Sequence, residues 1–451
     1  MARLFGTDGV RGVANSELTC ELAFRLGQAG ALVLTTPEHR PKIYIARDTR
    51  VSGNMLFHAL AAGIASVGAR AVDVGVLPTP AIASLVRRHS AEAGVVVSAS
   101  HNSFEFNGIK WFSGDGFKLP DEVEDRMERI VMAGVGTPLP TGGEVGDSAA
   151  FPGGEEEYIS SLVSLCDADV SGMRVVLDCA NGAAYRVAPE VFRRLGAEVS
   201  AHFISPDGRN INEGCGSTHP EALCELVRRE KADIGLAFDG DADRLIAVDE
   251  RGEVVNGDRI MALCARDLKA RGQLNKNTLV VTVMSNLGMI NTLKAEGISI
   301  LTTDVGDRYV LERMRAEGCN FGGEQSGHMI FLDKNTTGDG VQSAVELLCA
   351  VKRQGRPVSE LAGSVAIYPQ ILVNVRVQND RKFEYLHNRR IAERIAAAEE
   401  LFGERGRVLV RTSGTEPLVR VMIEGERMDE VRLETNEIAA LIARELDGTI
   451  L

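Results

Sequence analysis

Three aspartates at alternate positions, Asp239, Asp241 and Asp243, carry the strongest chemical signal in the chain. They stand in GLAFDGDADRLIAVDE, where the apolar run 234–238 ends in carboxylates and a second apolar run, 245–248, follows at once. Three like charges on one short loop repel one another. Oxygen-only ligands suit a hard cation such as Mg2+, and octahedral Mg2+ needs further oxygens, usually a phosphate oxygen. Arg244, next in line, is placed to hold an anion. The plainer reading is a solvated acidic turn, but surface turns seldom lie between two buried runs.

Four further segments offer chemistry. SASHN follows the apolar run 94–97, so Ser98 or Ser100 is a candidate nucleophile with His101 beside it. A serine hydroxyl needs a base or a metal to act so, and the same residues also make an ordinary turn. NGIK sets Lys110 after a glycine turn, where it serves as acid/base, holds a phosphate, or is simply solvated. GGEQSGH brings Glu324, Ser326 and His328 together. Carboxylate and hydroxyl suit adjacent sugar hydroxyls, and a hairpin turn is the alternative. RTSGTEPLVR joins Arg411, Ser413, Gly414 and Thr415, which can surround a phosphate with guanidinium, hydroxyls and backbone N–H groups. An incidental arginine in a hairpin is the alternative there. No GxxxxGK[ST] loop, GxGxxG fingerprint or GxSxG elbow is present, which argues against P-loop, dinucleotide and hydrolase readings.

These segments need a frame. The chain has 451 residues, 44% of them hydrophobic and 25% charged, the composition of an ordinary globular protein of several domains. Its net charge of -13 argues against nucleic acid or an anionic membrane as partner. Eight scattered cysteines without a CxxC pair fit a reducing compartment. The N-terminus has no apolar signal core and no run is long enough to span a bilayer, so a cytoplasmic protein is expected.

One unit recurs three times as strand, helix, strand, helix, strand. Its strands fall at 42–46, 71–74 and 94–97, then 174–177, 198–203 and 234–238, then 278–283 and 298–301 with a short last strand. Helices fall at 54–67, 80–88, 184–195, 220–230, 287–295 and 307–315. Near-continuous apolar strands between amphipathic helices predict mostly parallel sheets covered on both faces. Each unit then delivers a polar loop from the carboxyl end of its last strand, where such sheets place ligands. SASHN, DGDADR and GEQSGH are therefore expected to meet in one central cleft. Residues 134–154, the turn around Asn256, and 363–369 read as linkers. The tail (a strand at 371–377, a helix at 384–401, a strand–loop–strand at 407–424, a helix at 429–446) reads as a small α+β domain. The expected fold is α/β: domains at 1–150, 151–255 and 256–368, plus a C-terminal α+β domain at 369–451.

Taken in order, FGTDGVRG, SASHN with NGIK, DGDADR, GEQSGH and RTSGTEPLVR resemble the motifs of the α-D-phosphohexomutase superfamily from end to end. NINEGCGSTHPE, VGDRYVLE and Gln325 resemble its glucosamine branch. The resemblance implies that Ser100 carries a phosphoryl group and is a metal ligand with Asp239, Asp241 and Asp243, for one Mg2+ per subunit. It implies that His101, Lys110 and Arg244 serve catalysis. Glu324 and Ser326 would bind the sugar, with Arg11 and His328 lining the site. Arg411, Ser413, Gly414, Thr415 and Arg420 would hold the idle phosphate. A homodimer acting on a small phosphosugar is implied as well. Two positions depart from the family's pattern: Ser103 and Thr412 stand where proline is usual, which loosens both turns without removing a reacting group.

The implied reaction is glucosamine 6-phosphate ⇌ glucosamine 1-phosphate through a phosphoserine and a 1,6-bisphosphate that also acts as activator. Its product leads to UDP-N-acetylglucosamine and cell-wall precursors. Lys110 is the first candidate for the acid/base, on the expectation that cations surround it, with His101 second. The last domain is expected to swing over the cleft. Rival readings are a phosphomannomutase or phosphoglucomutase, a Mg2+-dependent phosphatase with an aspartate nucleophile, and a non-catalytic sugar-phosphate binder.

Overall fold

The computed structural model describes residues 4–6, 9–35, 39–136, 138–413 and 416–451. They form two compact units. One comprises Met1–Met284 and Ile298–Ser364, and the other Ser285–Gly297 and Val365–Leu451.

The first unit holds three sheets. In the six-stranded sheet Lys42–Arg47 pairs in parallel with Arg70–Val76 and with Ala93–Val97. In the five-stranded sheet Arg174–Asp178 pairs in parallel with Glu198–His202 and Ile234–Phe238. In the four-stranded sheet Thr278–Thr282 pairs in parallel with Ser299–Thr303 and Phe321–Gly323. Ala93–Val97 and Ile234–Phe238 are buried at every position, which is why they read as unbroken apolar runs. All three repeats thus form the elements that their periodicity predicts.

The sheets are mixed, because each last parallel strand turns back on itself. Ala93–Val97 pairs antiparallel with Phe106–Ser113, Ile234–Phe238 with Leu245–Asp249, and Phe321–Gly323 with Met329–Phe331. The closing pairs are Val97↔Ile109, Phe238↔Leu245 and Gly323↔Met329. Each polar loop is therefore clamped at both ends by a ladder. This corrects the placement of Lys110: it lies inside the strand Phe106–Ser113, opposite Val96, and not after a glycine turn.

Other elements have no counterpart in the pattern reading. Val10–Val13 adds an antiparallel edge to Phe106–Ser113. The helix Cys20–Leu34 packs on the helix Val51–Ser66 at backbone contact. A Cβ on Gly27 would lie 2.3 Å from the Leu60 carbonyl oxygen, and one on Gly63 would lie 2.1 Å from that of Phe24. Part of the expected linker 134–154 also joins a sheet, since Ser148–Ala150 pairs in parallel with Arg70–Val76. Helices Gly257–Ala270 and Gly340–Gln354 extend the third repeat, capped by Asn256 and Asp339.

The second unit is built on an antiparallel four-stranded sheet in the order Gly406–Thr412, Leu418–Gly425, Gln370–Arg376, Thr449–Ile450. Val375, Val419, Val421 and Ile423 form its core with Ile391, Ile438 and Ile442 of helices Arg389–Phe402 and Met428–Glu445. The helix expected over 384–401 is interrupted. Glu384–Leu386 is a 3-10 turn, and Asn388 caps a new helix by accepting from the Arg390 and Ile391 amides. Leu287–Ala295, read from sequence as part of the third repeat, belongs to this unit. The Asn286 side chain donates to the Tyr368 carbonyl at 2.9 Å, and the Leu287 amide to Glu424 Oε1 at 3.2 Å. Among the described residues, no helix is long and apolar enough to cross a membrane.

Candidate active site

Ser100 is buried, and its backbone is left-handed at φ 52°. That conformation is uncommon for serine and persists only when its surroundings impose it. Here they do. The Ser98 hydroxyl accepts from the Ser100 amide at 2.9 Å and donates to Asp48 Oδ2 at 2.6 Å. The result aims the Ser100 hydroxyl across to the second repeat, where it donates to Asp239 Oδ2 at 2.6 Å.

The aspartate loop is equally tied. The Ala242 amide donates to the Asp239 carbonyl at 3.0 Å, and Ala242 is left-handed at φ 57°. The Thr79 hydroxyl donates to Asp241 Oδ2 at 2.6 Å, and the Lys110 ammonium reaches the same oxygen at 3.0 Å. Lys110 also stands 3.9 Å from Asp243 Oδ2. Ligand-capable oxygens of Asp239, Asp241 and Asp243 all lie within 4.8 Å of one another. Burial, then the neighbouring carboxylates, raises the pKa of Asp239 well above the ordinary value, and burial followed by Asp241 raises that of Asp243. Three buried carboxylates are costly unless a cation sits among them. Asp243 Oδ1 is buried with no hydrogen-bond partner among the described residues. The donor set, hard and all-oxygen, fits Mg2+.

The third loop abuts the second. Gly327 accepts from the Leu245 amide at 3.0 Å, and Arg244 and His328 form a single antiparallel bridge. Gly327 is at φ 94°, and a Cβ there would lie 2.2 Å from the Leu245 carbonyl oxygen, so only glycine fits. Glu324 Oε1 accepts from the Gly306 amide at 2.9 Å, while its Oε2 has the Ser326 hydroxyl at 3.4 Å. His328 is buried, 3.8 Å from Asp307 Oδ2. Arg11 lies on the strand Val10–Val13 opposite Gly108. Burial, then Arg244 and Arg11, lowers the pKa of His101 to about 4, so its imidazole is neutral at pH 7. Lys110 faces Asp241 and Asp243, and with Arg244 and Arg11 it acts on the same His101 imidazole. The three loops of the first unit thus converge.

The remaining loop lies in the second unit. Arg411 and Arg420 sit directly opposite each other on adjacent strands. Burial, then Arg420, lowers the pKa of Arg411. Like charges so placed invite an anion. The Ser413 side chain accepts from the Glu416 amide at 3.2 Å, and Gly414 and Thr415 lie outside the described residues.

The phosphoglucomutase/phosphomannomutase family models match the chain in four stretches: α/β/α domains I, II and III at residues 2–135, 156–252 and 256–368, and the C-terminal domain at residues 372–441. The chain belongs to this family. It is 54% identical over 447 residues to the phosphoglucosamine mutase of Thermoanaerobacter sp. (strain X514), covering 99% of this chain and 100% of that one. Its fold matches a phosphoglucomutase/phosphomannomutase family protein from Burkholderia thailandensis at TM-score 0.82 and 23% identity, covering 100% and 99% of the two chains. It also matches Aspergillus fumigatus N-acetylphosphoglucosamine mutase, solved with GlcNAc-6P and magnesium, at TM-score 0.69 and 18% identity, covering 98% and 96%.

In this phosphohexomutase several residues at the loops escape sequence reasoning. Thr79 begins the helix Thr79–Arg88 and reaches Asp241 from another repeat. Asp48 and Arg50, both buried, lie in RDTR at the end of the strand Lys42–Arg47. Asn212 lies in NINEGCG. Lys382 donates from a buried position to the Ser413 carbonyl at 3.2 Å, adding a third cation to the Arg411 loop. The abrupt polar residues after an apolar strand were the available signal for Asp48 and Arg50. Nothing in the sequence alone marks Thr79 or Lys382.

Proposed function

We propose that the protein interconverts glucosamine 6-phosphate and glucosamine 1-phosphate, with Ser100 as the phosphoryl carrier. The observation that carries this reading is the Ser100 hydroxyl 2.6 Å from Asp239 Oδ2, in a pocket of buried carboxylates faced by Lys110. The 54% identity to a phosphoglucosamine mutase favours glucosamine over mannose or glucose phosphates. The proposed domains are 1–150, 151–255, 256–368 and 369–451, each carrying one of the motif loops.

Phosphorylated Ser100 gives its phosphoryl group to the free C1 or C6 hydroxyl of the sugar. The P–Oγ bond breaks, a sugar P–O bond forms, and a 1,6-bisphosphate results. After the sugar turns over, its other phosphate returns to Ser100. Such transfers demand positioning and charge neutralisation above all. Asp239, Asp241 and Asp243, with an oxygen of the Ser100 phosphate, would hold Mg2+, as the magnesium bound by the A. fumigatus enzyme supports. The ion would supply charge neutralisation on the transferring group. Arg244 and Lys110 add cations beside it. His101 accepts the sugar hydroxyl's proton: its imidazole is neutral, and Nδ1 has no partner among the described residues. The pairing of Lys110 with carboxylates puts it second for that role and first for holding the phosphoryl group. Glu324, Ser326, His328 and Arg11 grip the sugar in either orientation. Arg411, Ser413, Gly414, Thr415 and Arg420 hold the idle phosphate. The active form is a cytoplasmic homodimer.

A coupled assay for glucosamine 1-phosphate on wild type and Ser100→Ala tests the reading, with glucose and mannose 6-phosphates as competitors. Loss of at least ~10³-fold in kcat with substrate affinity kept is expected. Full activity in the alanine variant would remove Ser100 from the mechanism. Label from a phosphate donor trapped on an aspartate would make the protein a phosphatase.

A further inference from the structure

We propose that Arg50 and Asn212 are positioning residues for Ser100, a two-sided clamp that imposes the left-handed serine backbone from outside the loop. The inference rests on the phosphoryl-carrier role given above to Ser100.

The two residues come from different repeats and grip the same two atoms. Arg50 Nη2 donates to the Ser100 carbonyl at 2.9 Å and to the Asn102 carbonyl at 2.7 Å. Asn212 Nδ2 donates to the same carbonyls at 2.9 and 3.0 Å. Both side chains are buried. Arg50 is held in turn by Asp48, whose Oδ2 lies 3.3 Å from Nε and whose Oδ1 accepts from the Arg50 amide at 3.0 Å. Both members of that ion pair are fully shielded from solvent. Asp48 also accepts from Ser98, which anchors the Ser100 amide. The amide and carbonyl of Ser100 are thus fixed by one buried chain of groups, and the hydroxyl is directed to Asp239.

Such a layout has a physical purpose. A buried ion pair contributes little stability against an apolar replacement, but it specifies geometry. The two carbonyls on the back of the loop form its negative pole, and four donated hydrogen bonds compensate them there. The hydroxyl then faces Asp239. The clamp also sets spacing between repeats. Gly240 packs so closely that a Cβ on it would lie 2.5 Å from the Ser100 carbonyl oxygen and 2.9 Å from Asn212 Nδ2. Serine loop, aspartate loop and Asn212 therefore move as one body. During turnover of the bisphosphate the clamp keeps the acceptor oxygen where the second transfer needs it.

The test uses the full-length protein and glucose 1,6-bisphosphate as phosphoryl donor. The rate of label transfer to Ser100, kcat, KM and Tm are measured for wild type, Asn212→Gly, Asn212→Asp, Arg50→Lys and the double variant Arg50→Lys/Asn212→Gly. Asn212 is itself left-handed at φ 60°, so glycine and aspartate keep its backbone while removing its donors. Both are expected to slow label transfer and kcat roughly 10- to 100-fold with KM within about twofold, the signature of misplaced reacting atoms. The double variant should lose little more than the worse single one, since both residues act on the same carbonyls. Wild-type transfer rates in both folded Asn212 variants would overturn the clamp, as would a drop in kcat matched by the unfolded fraction. If Arg50→Lys does not fold, the Asn212 pair decides alone. If wild type takes no label on Ser100, the phosphoryl-carrier reading fails first, and the clamp with it.

Discussion

The serine loop and the Glu324 turn are both short polar connections between a parallel strand and its antiparallel return, yet they are built to opposite rules. Ser98, Ala99 and Ser100 are buried, and buried side chains tie the Ser100 amide, carbonyl and hydroxyl. Glu324 and Gln325 are half-buried and Ser326 is exposed. The Glu324 carboxylate is held by one backbone amide and a long contact to Ser326. Where the proposed reaction makes and breaks a bond, the fold removes freedom. Where the proposed mechanism has the same sugar held two ways round, it leaves freedom in place. Rigid positioning raises kcat, whereas an adaptable grip is felt mainly in KM.

Substitutions break that contrast in graded steps. Asp241→Asn should have the largest effect, because it strips charge from the group that Lys110 and Thr79 both grip: kcat falls at least ~10³-fold with KM little changed, read by steady-state kinetics with Mg2+ in excess. A large rise in KM alone would place Asp241 in sugar binding. Gly240→Ala leaves every reacting group in place but sets a methyl against the Ser100 carbonyl. A loss of roughly 10²-fold in kcat is expected. Wild-type kcat with a well-folded variant would show that the serine loop yields more than its ties suggest.

On the pliant side, Glu324→Gln keeps the shape and removes the charge proposed to accept sugar hydroxyls. KM should rise roughly tenfold, as expected for one charge-assisted hydrogen bond, with kcat within a fewfold. A kcat collapse instead would make the turn as exacting as the serine loop.

The smallest effect lies outside both regions. Asp339 caps the helix Gly340–Gln354, accepts from Tyr158, and is pushed up to about 6, chiefly by burial. A carboxyl raised in the folded state binds its proton more tightly there than in the unfolded chain. Its contribution is therefore full below pH ~4 and lost as pH rises through about 6. Relative to Asp339→Asn, wild type should gain about 1 kcal/mol in stability on going from pH 7.5 to pH 5, measured by denaturant melts. An unchanged difference would mean that Asp339 does not titrate in that range.

Much of the site was legible because strand patterning and loop chemistry agree locally. An apolar run ending in DGDADR or SASHN states both that a strand is buried and that something polar waits at its end. The helix Cys20–Leu34 was not legible: it follows a motif that draws attention to its chemistry, and its glycines blur the apolar stripe. Lys110 was misplaced for a related reason. Gly108 reads as a turn but is a strand position where a Cβ would lie 2.5 Å from the Ser98 carbonyl oxygen. The lysine stem is buried by the sheet, and its charge is met by the Asp241 carboxylate, 131 residues away along the chain. Asn212 stands within a recognisable motif and Arg50 just beyond a strand, but their donors serve carbonyls, and a carbonyl has no residue type to read.

What the sequence alone determined is periodicity and chemical kind: three α/β repeats, an antiparallel tail, three carboxylates for a hard cation, a serine in a buried turn. Those follow from spacing along one strand or loop, a matter of a few residues. Which hydroxyl faces which carboxylate, that Thr79 and Lys110 share one oxygen of Asp241, and that Arg50 and Asn212 hold the same two carbonyls were decided only in three dimensions. Hydrogen bonds act over about 3 Å of space, irrespective of how many residues separate the partners.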